Sequence, residues 1–116
     1  MLKRAEDLGR LVGQSEEYKA LRRANDRLMA DAELRGRLEQ MQQLQFKVAE
    51  GLDKGQAPTP AMREEMDALM GVVQTSPLYQ GIVAAQANFD KLMARVNEQI
   101  LEGIKLGSES RIITLA

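Results

Sequence analysis

The chain has 116 residues, 44% of them hydrophobic and 28% charged, and a net charge of −1; this fits one folded domain and gives no overall pull toward nucleic acid or anionic lipid. It contains neither cysteine nor histidine, which removes disulfides, thiolate metal sites and nucleophiles, and the usual general base and metal ligand. Its aromatics are Tyr18, Phe46, Tyr79 and Phe89, too few for a β-sandwich core or a base-stacking surface.

Leu2 to Val12 reads as a short first helix with Leu2, Ala5, Leu8, Leu11 and Val12 on one side. Nothing in this opening segment resembles a secretory signal, and no apolar run approaches the roughly 20 residues that span a bilayer. The expected compartment is therefore the cytoplasm, without membrane insertion. Gly13-Gln14 interrupts the helix. Ser15 is a suitable N-cap for a second one, with Glu16 and Glu17 in the first turn where the helix dipole favours negative charge. Asp31 caps a third helix to about Leu52, about 33 Å long. Gly51, Gly55 and Pro58 end it. Thr59-Pro60 and Ser76-Pro77 each present a cap followed by proline at the first helical position, which starts a fourth and a fifth helix. The fifth is expected to run to about Ile104, about 42 Å, and to close at Lys105-Leu106-Gly107-Ser108. The expected organisation is one helical domain over residues 1–104 and a flexible or extended tail over 105–116, its Arg111–Leu115 stretch β-branched and apolar.

Two long apolar seams alternate steps of four and three residues. One is Leu34, Leu38, Met41, Gln45, Val48 and Leu52; the other is Ile82, Gln86, Phe89, Met93, Val96 and Ile100. That spacing keeps one helix face turned to a partner helix. Each seam holds one glutamine. A single polar residue in such a seam either fixes register across an interface or lies at its edge in water, and both readings stand.

Met62, Met66 and Met70 form an i, i+4, i+8 stripe, either core or a surface that adapts to a partner. The candidate interface is therefore Met41, Gln45, Val48, Met62, Met66, Met70, Gln86, Phe89 and Met93. Arg22, Arg23 and Arg27, with Lys19 near them, form a candidate basic face that could meet RNA phosphates or pair with Glu16, Glu17 and Asp26. Glu64, Glu65 and Asp67 read as a solvated helix face, since nothing in the sequence supplies a companion histidine ligand or an acidic loop. Gly9 and Gly13 form a G-x-x-x-G with Arg10 inside it, which suits helix termination in water more than a membrane dimer. No phosphate-cradling glycine loop occurs. Catalytic, cofactor-binding and metal-ligating residues are thus all expected to be absent.

The run Leu8-Gly9-x4-Gln14-Ser15-Glu16-Glu17-Tyr18-x2-Leu21 resembles the start of the YlbF/YmcA-like family of small helical bacterial regulators. Asp31, Gln42, Gln45, Gly55, Thr59 and Ser76-Pro77-Leu78 fall at that family's helix starts, Gln-rich helix and glycine break. Leu92, Val96, Ile100 and Ile104 match its closing apolar stripe. The likeness spans roughly residues 5 to 104 and rests on many weak positions. Gln86 stands where an acidic residue is common in the family. The resemblance implies an all-α bundle with no catalytic residues. It further implies a regulator of competence, sporulation or biofilm formation that joins related proteins and acts with an endoribonuclease in mRNA processing.

The expectation is an all-α bundle of about five helices, two of them long, forming a homodimer. Its function is expected to be that of a non-catalytic regulatory interaction module, with related regulators or a ribonuclease complex as partners and no DNA. An RNA-binding protein using Arg22, Arg23 and Arg27 is the alternative.

Overall fold

The structure, a computed structural model, describes the backbone of residues 1–115 and the side chains of residues 1–109. Among the described residues it contains five helices and no strand. They are α1 (Leu2–Gly13), α2 (Glu16–Ala30), α3 (Ala32–Asp53), α4 (Pro60–Gln74) and α5 (Pro77–Leu115). The all-α expectation holds, with α3 and α5 as the two long helices.

Local chemistry sets each boundary. The Ser15 hydroxyl accepts from the Tyr18 N–H at 3.1 Å and donates to the Val12 carbonyl at 2.6 Å, so one side chain ends α1 and starts α2. A single residue, Asp31, separates α2 from α3. Its backbone is extended, and its carboxylate accepts from the Leu34 N–H at 2.9 Å. Thr59 caps α4 by accepting from the Met62 N–H at 3.2 Å, with Pro60 following. Gly55 ends α3 with a φ of 77°, where the left-handed backbone disfavours a side chain. The N–H of Gln56 donates to the Gly51 carbonyl at 2.8 Å and that of Gly55 to the Leu52 carbonyl at 3.0 Å, a Schellman closure.

The helices form two broken rods running antiparallel. The α2–α3 rod turns back at Gly55 into the α4–α5 rod; α3 lies along α4, and α2 along the first half of α5. Among the described residues α1 packs on α2, and its Leu8 lines an open cleft with Val96 and Ile100 of α5. The molecule measures 70 × 37 × 21 Å with a radius of gyration of 21.7 Å, against about 13 Å for a compact chain of this length. Leu21, Leu34, Leu44, Val73 and Ala85 make up the buried core.

Two expectations are corrected. α5 does not close at Lys105–Ser108 but continues to Leu115, giving a helix of 39 residues, about 58 Å long. One glycine inside a helix costs only about 1 kcal/mol relative to alanine, and Gly107 is not in the positive-φ conformation of a helix stop. The strand or extended arm expected over 111–115 is therefore helical backbone; Ala116 lies outside the described residues. The seams are also covered unevenly. Leu52 is 57% exposed, while Leu44, absent from the expected seam, is buried. The covered stripe of α3 steps from Met41 by three to Leu44 and by four to Val48, and Val48 shares a groove with Met62 and Met66 of α4.

Candidate interaction surfaces

Three of the open surfaces among the described residues bear on function. The first is a groove of about 410 Å³ between α3 and α4. It gathers Gln45 and Val48 from α3 and Met62 and Met66 from α4, with Arg63 and Asp67 at the rim. Val48, Met62 and Met66 are half-buried, so the groove floor is apolar; Gln45 is exposed at its edge. Met41 is half-buried along the same stripe. Met70 is 37% exposed and does not line the groove: Leu69 and Val73 carry the packed line of α4 instead.

The remaining candidate interface residues sit elsewhere, where α2 meets α5. Phe89 is half-buried and its ring stacks at a tilt on Tyr18, and Met93 is half-buried one turn on. Gln86 is exposed, and its amide donates to the Asp90 carboxylate at 2.9 Å within the same helix. The sequence pattern therefore names residues of two separate surfaces.

The second surface is the groove between α2 and α5. Arg23 and Arg27 line it from α2, and Lys91 and Arg95 from α5, with Ala20, Ala24, Gly81 and Ala84 as its floor. Its two lobes have volumes of about 490 and 450 Å³. Glu16 and Glu17 stand at one end, and Glu16 pairs with Lys19 at 3.9 Å. Among the described residues, Arg23, Arg27, Lys91 and Arg95 form no ion pair. Arg22 is exposed but does not line the groove; it lies about 140° round the helix from Arg27. Sequence reasoning missed Lys91 and Arg95. Their i, i+4 spacing on α5 marks a shared face, but only the helix pairing shows that it faces Arg23.

The third surface is the end of the rod where α1 and α5 diverge. Leu2, Leu11, Ile100, Leu101, Ile104 and Leu106 are all at least 45% exposed there. Among the described residues, no group of three acidic side chains is placed to hold a metal ion, and no helix is long and apolar enough to cross a membrane.

The arrangement suits contact with other macromolecules. A model of the YlbF/YmcA family, described as control of competence regulator ComK, matches residues 1–105. The chain belongs to this family. It is also similar to the UPF0342 protein DSY1594 of Desulfitobacterium hafniense, 26% identical over 104 residues that cover 90% of this chain and 79% of that protein. The YlbF/YmcA membership carries a regulatory role with it.

The match begins ahead of the Ser15 cap and ends inside α5, so it includes the capped junctions that set the two rods. Within a YlbF/YmcA chain these rods leave much surface open. A compact monomer of this mass exposes about 6,300 Å², whereas this chain exposes 9215 Å². The excess is about 2,900 Å², more than three times the roughly 800 Å² per partner of a standard protein interface.

Proposed function

We propose that the protein is a non-catalytic cytoplasmic regulator that acts by protein–protein contact, working as a homodimer and joining related regulators or a ribonuclease complex. In this reading it influences competence, sporulation or biofilm formation through mRNA processing by an endoribonuclease. The observation that carries it is the total exposed surface of 9215 Å², against about 6,300 Å² for a compact monomer of this mass, with large hydrophobic side chains such as Phe46, Leu52, Ile100 and Ile104 left exposed on it. Family membership supports the regulatory role, and the apolar α3–α4 groove supports contact with a partner.

The test is a deletion strain of the native host, complemented with the wild-type gene or with Met62→Asp/Met66→Asp. Transformation frequency and transcript 5′ ends would be measured. The expected result is a loss of competence and shifted transcript ends, restored by the wild type and not by the groove variant. Unchanged transcript ends in the deletion strain would remove the ribonuclease link.

A second reading has one observation in its favour, the uncompensated cations Arg23, Arg27, Lys91 and Arg95 facing one groove. An RNA binder of this kind binds RNA with an affinity that falls steeply as salt rises. Filter binding across a salt series separates it from the protein-contact reading.

A further inference from the structure

The walls of the α2–α5 groove repeat the spacing of the apolar seams with different residues. On α5 the wall is Pro77, Gly81, Ala84, Asn88, Lys91 and Arg95, in alternating steps of four and three. At 3.6 residues per turn these fall within about 40° of one line along the helix. On α2 the wall is Glu16, Ala20, Arg23 and Arg27, within about 30° of one line. Each wall therefore presents a straight edge to a helix lying alongside it. The two lobes share Ala20, Arg23 and Asn88 and so form one trough. From Pro77 to Arg95 it is about 27 Å long, or about five helical turns. Its floor is made of alanines and Gly81, and nothing lies within 4 Å of a Cβ added to Gly81, so a third backbone can come close.

The cations of the trough are staggered. Because α2 and α5 run antiparallel, Arg27 stands on the α2 wall at the Pro77 end and Arg23 midway, while Lys91 and Arg95 stand on the α5 wall at the other end. All four are exposed, and among the described residues none forms an ion pair. Glu16 and Glu17 line the far end, where Glu16 already pairs with Lys19 at 3.9 Å. Positive charge is thus in excess along the trough, although the whole chain has a net charge of −1.

We propose that this trough seats an acidic amphipathic helix of a partner protein. The proposal rests on the protein-contact reading above and names its surface and the partner's chemistry. A helix of about 18 residues fills the trough, with small or apolar side chains on the floor and Asp or Glu side chains over the cations. Carboxylates on one edge of its first half and on the opposite edge of its second half match the stagger and fix its direction. An RNA strand fits less well. None of the residues lining the trough is aromatic, so bases have nothing to stack on. A continuous phosphate backbone would also have to pass Glu16 and Glu17.

The test is fluorescence anisotropy with the full chain at physiological salt. The probes are a labelled helical peptide of about 18 residues, with an alanine and leucine seam flanked by glutamates, its Gln-for-Glu and Lys-for-Glu versions, and a single-stranded oligouridine of the same length. The expected result is binding of the Glu peptide, at least about tenfold weaker for the Gln version and for the Arg23→Ala/Lys91→Ala variant. Arg4→Ala/Lys47→Ala, the same charge change on exposed residues outside the trough, should bind the Glu peptide as the wild type does. Arg23→Glu/Lys91→Glu should lose the Glu peptide and gain the Lys version. Equal binding of the Glu and Gln peptides, no binding of either, or equal weakening by the two alanine pairs overturns the proposal. Tighter binding of the oligouridine than of the Glu peptide, lost in Arg23→Ala/Lys91→Ala, overturns it in favour of the RNA reading. If the charge-reversal variant loses its helical circular dichroism, the two alanine pairs decide. Failure here together with lost competence in Met62→Asp/Met66→Asp overturns the use of this trough and leaves the protein-contact reading standing.

Discussion

The ring of Tyr18 on α2 lies 5.8 Å from that of Phe89 on α5, tilted by 55°. This contact pins the two rods together close to the point where α1 departs. Tilted aromatic pairs contribute about 1 kcal/mol beyond the area they bury. A double-mutant cycle of Tyr18→Leu and Phe89→Leu, measured by urea unfolding, should therefore give a coupling energy of about 1 kcal/mol. A coupling near zero would show that the rings do not meet in solution.

Leu44 and Phe46 sit two residues apart on α3, yet one is 5% exposed and the other 69%. Leu44→Ala should cost about 3 kcal/mol through the cavity it leaves. Phe46→Ala should change stability by less than about 0.5 kcal/mol. Chemical denaturation of the two variants checks the order, and the reverse order would place the wrong side of α3 against α4.

Gly55 holds the reversal between the rods with a φ of 77°. Gly55→Ala should cost about 1–2 kcal/mol, because a Cβ is strained in left-handed backbone even where space is free. Gly71→Ala, in the interior of α4 with nothing within 4 Å of its Cβ position, should be neutral or stabilising by up to about 1 kcal/mol. Opposite signs in thermal melts are the expected readout.

The Asp31 carboxylate caps α3 at the bend between α2 and α3. Asp31→Ala should cost about 1 kcal/mol, and Asp31→Asn or Asp31→Ser should restore most of it. Equal losses in all three variants would mean that the bend does not depend on a side-chain cap.

Arg23→Ala/Arg27→Ala should leave stability within about 0.5 kcal/mol of the wild type, since both side chains are exposed and form no ion pair among the described residues. If the α2–α5 groove binds RNA, the same variant should bind more weakly, with a shallower dependence on salt. Unfolding at a clearly lower temperature would instead reveal a structural role for these arginines.

Local chemistry in the sequence determined the helices and most of their boundaries. Ser15, Asp31, Thr59 and Ser76 each act within three residues of themselves, so their caps can be read without knowing the fold. The alternating steps of three and four between apolar side chains likewise set the all-α class, and the absent cysteine and histidine limited the available chemistry. Tertiary structure decided which apolar residues are covered. A stripe such as Met41, Leu44, Val48 and Leu52 shows only that a helix has a greasy side; how much of it is hidden depends on how the other helices lie against it. The distribution of charge followed the same rule, since Lys91 and Arg95 meet Arg23 only because α2 and α5 run antiparallel. Burial and electrostatic convergence depend on distances between segments far apart in the chain, whereas a helix cap depends on its immediate neighbours.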